Sequence, residues 1–560
     1  MERQLEGRDS ELKESLIGVE VYGRRPDYDP KLDSTVRGEV ARLRARLSKY
    51  YSTEGSQDLL VIDVPKGGYV PGFHQPDTKA PVQRVSRKRL WLAVGLAAFG
   101  VAAAFGLWWT VHKNAPIPIA VLPLVNMSSD GASDYLADGL TSEIISELSL
   151  IEGLSVRSQT SSFALKGKPR NVHEAGSQLA ADYILEGSVV RSGQQLRINT
   201  RLVRTRDDVP VWSGKFEREW TDVLSIQDEI SRGIVNSLRL KLGGGRRRYE
   251  TSVEAYDLYL HARASMTRLF PGDDEVIGLF EKAITKDSSL APAYAGLAAA
   301  YAWKSFSRTG DPNRDEELQK MQAAAEEAIQ LDPLLAEAHS ALGTAFAARG
   351  QWEQAEQSFR RAIEIDPNFS AAHHHFSRFY YWPLGRINDA VREARAAVRN
   401  DPLSPQAHAE LGDVLLTAGR YDEAAGQCQN LPADYELGMI CLGRARFGQG
   451  RMAEAIQVLS LSSVREWGYL AYVYAKSGRQ AEAEKLIAEA PILHPNRLGA
   501  FQFAVVFAGF GDRDHTIERL ESLARVGPVR LGFTLNSPEF AFVRDDPRVK
   551  ALRKKVGLPE

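Results

Sequence analysis

Ala336 to Pro367 reads AEAHSALGTAFAARGQWEQAEQSFRRAIEIDP, and its spacing of small and large residues decides the fold of half the chain. Leu342-Gly343, Phe346, Ala355, Phe359 and Ala362 fall on two helical stretches, and Pro367 closes the unit. Small side chains let two helices approach closely, and large ones fill the gaps that remain. The unit recurs with a period near 34. Pro333, Pro367 and Pro402 each follow an aspartate, at spacings of 34 and 35. Gly350, Gly385, Gly419, Gly450 and Gly478 each stand five residues before an alanine: Ala355, Ala390, Ala424, Ala455 and Ala483. A further copy carries Trp467, Leu470-Ala471, Tyr474 and Ala483. A period of this length predicts helix pairs stacked into a superhelix. The array is expected over residues 253–525, as seven or eight units with a polar insertion near 307–317, followed by a capping helix and tail over 526–560.

These positions resemble the tetratricopeptide pattern W-x2-L-G-x2-Y…A…F…A…P. The resemblance implies a concave groove that binds a protein or peptide partner. His373-His374-His375 does not read as a metal site, because adjacent helical residues point in different directions. No metal is expected. Arg378, Tyr380, Tyr381 and Trp382 are candidate groove contacts, with core packing at least as good a reading of the aromatics. The chain has two cysteines. Cys428 falls where the quoted unit places Phe359, so buried packing is preferred over a Cys428–Cys441 bond.

Residues 117–242 have a different rhythm. Short apolar runs at 119–124, 154–157, 183–190, 196–203 and 211–216 read as strands, and 134–150, 172–179 and 222–242 as helices. The layout predicts an α/β domain with helices covering a mixed sheet. IAVLPLVNMSSD, YLADGLTSEIISELS and ADYILEGSVVRSGQQLRINTRLV resemble the TolB amino-terminal-like domain, for which no catalytic role follows. Asp134, Asp138 and Glu143 are read as acids suited to a helix start. The chain contains no G-x-x-x-x-G-K-[ST], G-x-G-x-x-G or H-E-x-x-H motif. On those grounds no cofactor is expected, and the chain is expected not to be an enzyme.

Leu90 to Val111, LWLAVGLAAFGVAAAFGLWWTV, has no charged residue. A run of about 20 apolar residues spans a bilayer core. It is read as a single transmembrane helix, preceded by a linker over 76–89 whose basic end, Arg84 to Arg89, predicts a cytoplasmic N-terminus. The expected location is the inner membrane, with the C-terminal region in the periplasm. Gly95, Gly100 and Gly106 lack the four-residue spacing of a helix-dimer face, so a homodimer stays an open alternative.

Residues 1–75 form the predicted head. Val36, Val40, Leu43 and Leu47 make one face of a helix over 35–51, and a hairpin follows, with strands 59–64 and 69–71 around Lys66-Gly67-Gly68. VRGEVARLRARL followed by VIDVPKGGYVPGF resembles the end of the OmpR-type winged helix-turn-helix. The resemblance implies that Arg37, Arg42, Arg44, Arg46 and Lys49, with Lys66 on the wing, contact DNA. The expected whole is therefore multidomain: a small α+β winged-helix-like head, one transmembrane helix, a TolB-like α/β domain and an all-α superhelix. Such an order resembles CadC- or ToxR-like membrane regulators. The alternative is an envelope scaffold that assembles partners without binding DNA. A net charge of −2 gives no global argument for either.

Overall fold

The computed structural model describes residues 6–75, 116–128, 134–168, 171–238, 251–268, 272–307, 314–432, 435–461, 467–493 and 499–559. The chain divides into two compact units, Met1–Thr110 and Val111–Glu560.

The first unit consists of helices α1 (Glu14–Glu20) and α2 (Thr35–Ser52) and strands β1 (Val61–Asp63) and β2 (Gly72–His74). Asp33 starts α2 by accepting hydrogen bonds from the backbone and hydroxyl of Thr35, at 2.9 and 2.5 Å. Val36 and Val40 are buried, but Leu43 is 46% exposed, so the apolar face is narrower than the periodicity predicts. Gly18 leaves room for the Tyr28 ring, which a Cβ there would meet at 2.5 Å. The returning strand begins after Tyr69-Val70-Pro71, and Ile62 faces Phe73 across the antiparallel pair.

The second unit opens with a six-stranded sheet: β3 (Ile117–Val121), β4 (Val125–Asn126), β5 (Leu154–Val156), β6 (Tyr183–Ser192), β7 (Gln195–Arg204) and β8 (Val209–Glu219). The order is β5-β3-β6-β7-β8, with β4 also on β6. β3 runs parallel to β5 and β6, whereas β6, β7 and β8 form an antiparallel meander. Helices α3 (Asp134–Ser149), α4 (Gln159–Phe163), α5 (Val172–Leu179) and α6 (Val223–Ser237) complete it. Alternation along β3 explains the layering, since successive side chains point to opposite faces. Ile119 and Val121 join the core with α3 and α6, while Ala120 and Leu122 join α4–α5 residues Leu165, Ala175 and Leu179.

The fold class expected from sequence needs one correction. Among the described residues no helix is long and apolar enough to cross a membrane. Leu90–Val111 itself lies outside the described residues. What stands before the superhelix in the described structure is the sheet, not a membrane span.

From Val253 onward the unit is helical. Gly350, Gly385, Gly419, Gly450 and Gly478 turn the chain between paired helices with φ of +71 to +78°, the left-handed region that a residue without Cβ adopts freely. The alanines five residues later are all fully buried. Helical glycines face the bulky residues sixteen positions on. A Cβ on Gly343 would lie 2.9 Å from the Phe359 ring, and one on Gly443 would lie 2.5 Å from Leu459. His339, His373 and His408 each bond through Nε2, at 3.0 Å, to the carbonyl of the proline six residues before: Pro333, Pro367 and Pro402. A π-type turn over Phe376–Tyr381 sets Tyr380, Tyr381 and Trp382 in the core, so these aromatics are packing residues.

Two features depart from expectation. Cys428 and Cys441 are joined in a disulfide, with Cα atoms 6.0 Å apart. The tail also returns along the array. Trp352 Nε1 donates to Gly557 O at 2.6 Å, and Asn536 Nδ2 to Trp382 O at 2.7 Å.

Candidate functional site

Two regions carry chemistry, one in each unit. In the first, the six basic residues singled out from sequence have different tasks. Arg44 is structural: its guanidinium donates to Val64 O, Pro65 O and Gly68 O, each at 2.8 Å, and so ties the hairpin turn to α2. Arg37 reaches Glu14 Oε1 at 2.8 Å and Pro30 O, which fastens α2 to α1 and the loop between them. Arg42 pairs with Glu39 on its own helix. Arg46, Lys49 and Lys66 are exposed. Loop and turn carbonyls and Glu14 thus consume Arg44 and Arg37, and a basic face remains on the far turns of α2 and on the hairpin.

In the second unit, the α/β domain and the superhelix share one core. A Cβ on Gly139 of α3 would stand 2.8 Å from Leu260 of the helix Val253–Arg268. Gln227 donates to the buried Tyr256 hydroxyl at 2.7 Å. Tyr259 donates to Glu143 at 2.7 Å, and Arg263 forks onto Glu337 at 3.0 and 3.1 Å. Glu143 is therefore a half-buried partner in this contact rather than a residue of the helix start. Burial raises its carboxyl above the usual range, and Arg263 opposes that shift.

Between α3–α4 and the inner ends of the superhelix lies a cleft of about 1790 Å³. Its wall carries seven carboxylates (Glu143, Glu147, Asp228, Asp332, Glu337, Asp366, Asp401) against Lys168, Arg232 and Arg263, so it disfavours anions. Burial pushes Asp366 up to about 6. Apolar contact comes from residues such as Phe163, Met266 and Leu403. None of these cleft residues was singled out for the groove by sequence, although Asp366 and Asp401 belong to the Asp-Pro pairs that mark the repeat.

The histidine run diverges as expected. His373 bonds Glu393 through Nδ1 at 2.8 Å, while His374 and His375 border the cleft. Gln406 Nε2 lies 3.3 Å from His374 Nε2, and His374 Nδ1 lies 3.2 Å from Glu410 Oε2. Burial holds His374 well below its ordinary value, with His375 and Arg378 adding to it. Glu410 is 4% exposed, and burial raises it to about 7 despite Arg378 at 3.4 Å, with Asp413 adding to the rise. A carboxyl raised on folding stabilises the fold below its unfolded value near 4.5, and that contribution is lost as pH climbs through about 7. Replacing Glu410 with Gln removes this dependence. The stability difference between wild type and Glu410→Gln is expected to shift by about 1–3 kcal/mol in favour of the variant between pH 5 and pH 8. Urea unfolding at the two pH values measures it, and parallel curves would reject the assignment.

Comparison with known proteins places these regions. Residues 115–232, the sheet domain, match the family described as HilA/YgeH-like transcriptional regulator, second domain. Residues 336–369 and 380–435 match tetratricopeptide-repeat families. A curated protein of Rhizobium meliloti (strain 1021), named putative adenylate cyclase 3, is 34% identical over 246 residues, which is 43% of this chain and 42% of that protein. The chain thus spans under half the length of that relative. The relative's name overturns the expectation that the chain is not an enzyme. That expectation rested on the absence of three motifs, and such a search tests only the chemistries those motifs serve. Among solved structures, a thermophilic tetratricopeptide protein of Thermus thermophilus is 15% identical, covering 35% of this chain and 91% of its own, with a TM-score of 0.26. The pilF protein of Pseudomonas aeruginosa is 18% identical, covering 44% and 96%, with a TM-score of 0.27. The chain therefore joins a transcriptional-regulator-like domain to a tetratricopeptide array, a combination that fits a regulator with a protein-interaction region.

Proposed function

We propose that the chain is a transcriptional regulator whose N-terminal unit grips DNA and whose superhelix receives a protein partner. The observation that carries the DNA reading is the division of labour on α2. Arg44 and Arg37 hold hairpin, helix and loop together, and Arg46, Lys49 and Lys66 stand exposed. Exposed cations on a pre-organised helix and hairpin suit phosphate contact, which positions a protein on the duplex. The regulator-family match of the neighbouring domain supports the same reading.

Chromatin immunoprecipitation of the intact protein tests it in cells. Discrete enriched sites are expected for the wild type, and they should disappear for the triple variant Arg46→Ala, Lys49→Ala, Lys66→Ala. A wild-type profile with no enriched sites would leave a protein-interaction role without DNA binding as the better reading.

A further inference from the structure

The α/β domain meets the superhelix along the Asp-Pro turns that join successive helix pairs. One short stretch of the domain, Ser155 to Ser161, lies across two of these turns, one repeat apart. At the first, Ser155 Oγ bonds Asn368 Oδ1 at 3.1 Å, and Asn368 Nδ2 donates to Leu154 O at 3.0 Å. At the second, Ser158 N donates to Asn400 O at 3.1 Å. The Ser161 hydroxyl donates to Asp401 Oδ1 and accepts from Leu403 N at 2.8 Å. Arg157, between them, turns back into its own domain and donates to Leu179 O at 2.7 Å. Ser161 is fully buried and Asp401 is 5% exposed.

The chemistry at the second turn is selective. Asp401, which is buried, offers an acceptor and Leu403 N only a donor. A hydroxyl serves both at once; an ammonium lacks the acceptor, and an apolar side chain leaves Leu403 N unpaired and removes one of the bonds that Asp401 also takes from the Ser158 and Thr160 hydroxyls. A carboxylate or phosphate in the serine's place would face Asp401 with like charge.

We infer that this row of Asp-Pro turns is a recognition surface for short serine-bearing segments that pass from a strand into a helix start, as Ser155–Ser161 does. In this chain its own Ser155–Ser161 stretch holds the surface, and an external segment of the same chemistry binds when that stretch is displaced. The inference rests on the protein-interaction reading of the superhelix and is independent of the DNA reading. It names the occupant, a neutral segment that presents hydroxyls to each turn, and it makes the α/β domain the internal competitor.

The probe is a fluorescent synthetic peptide matching residues 152–165, EGLSVRSQTSSFAL, titrated into the full chain. Wild type is expected to bind it weakly. The double variant Ser158→Ala, Ser161→Ala loosens the internal segment and leaves the turns intact; it should bind the peptide about tenfold tighter or more, since it removes the competitor. Adding Asn368→Ala and Asp401→Ala should abolish that gain. A peptide with aspartate at the position of Ser161 should bind at least about tenfold more weakly than the parent. Ser161→Ala alone serves if the double variant fails to fold. Hydrogen exchange over residues 152–166 reports release of the internal segment. Release without a gain in peptide affinity would overturn the recognition surface, as would binding that survives loss of Asn368 and Asp401. Either result, with DNA affinity unchanged, would leave the regulator reading standing.

Discussion

Arg444→Ala is expected to cost the superhelix about 3–5 kcal/mol, the range for removing one member of a buried ionic network. Arg444 is 7% exposed and binds three ways. Its Nε and Nη2 reach the two oxygens of Glu539 at 2.8 and 3.1 Å, and its Nη1 reaches Asp413 Oδ1 at 2.8 Å. The guanidinium also lies 4.5 Å above the Tyr469 ring. Truncation would strand Glu539, itself 8% exposed, and take from Asp413 its hydrogen-bonded cation, leaving Arg378 as the other positive charge acting on it. Burial already raises the Asp413 carboxyl, and Arg444 is the strongest influence opposing that rise. Glu539 belongs to the returning tail and Arg444 to the helix Glu436–Gly448, so the network fastens the tail to the array. The urea midpoint should fall, and amides of residues 528–543 should lose exchange protection before the rest. Arg444→Lys keeps the charge but not the two-pronged geometry, and should fall between wild type and alanine. An unchanged midpoint for the alanine variant would show that the network contributes nothing net.

Breaking the Cys428–Cys441 link is expected to cost about 3 kcal/mol, the loop-closure value for a separation of 13 residues. The test need not touch either cysteine. Gly412 faces both sulfurs, and a Cβ built there would lie 2.4 Å from each. Gly412→Ala should therefore force the helices Pro405–Thr417 and Tyr421–Cys428 apart and leave two reactive thiols per chain where wild type shows none. Thiol titration under denaturing conditions counts them, and thermal unfolding with and without reductant reads the stability. If the variant kept its disulfide and its stability, the close packing at Gly412 would be disproved.

The array was legible because each repeat restates the same packing problem. Gly343 against Phe359 is an observable pair of residue types at a fixed spacing, and the turn glycines follow from backbone geometry alone. The disulfide was misread for the same reason. Cys428 occupies the place of a large core residue, which argues for packing, while the partner that makes it a bond comes from the next helix. Periodicity does not register that neighbour. His339, His373 and His408 did leave a signal, an aspartate-proline pair with a histidine six residues after the proline, but its meaning is a local bond to a carbonyl.

The cleft and the serine contact were not legible. Ser155–Ser161 and Asn368–Leu403 stand more than two hundred residues apart, and nothing in either segment specifies the other. In the head, the basic residues were visible but their division was not. Arg44 and Arg46 differ by two positions on one helix, and only the fold of the hairpin turns the first into a brace. The apolar stretch at 90–111 lies outside the described residues. In the described residues of the second unit, the sheet, the helical array and the tail that returns along it carry the organisation.

The most direct test of the regulator reading is a salt titration of the intact protein with a fluorescent DNA duplex, followed by anisotropy. Each phosphate contact contributes about 0.9 to the slope of log affinity against log salt. The expected result is tight binding at low salt, a steep loss as salt rises, and a slope shallower by roughly 2–3 in the variant Arg46→Ala, Lys49→Ala, Lys66→Ala. Equal affinity and equal slope in wild type and variant would contradict it.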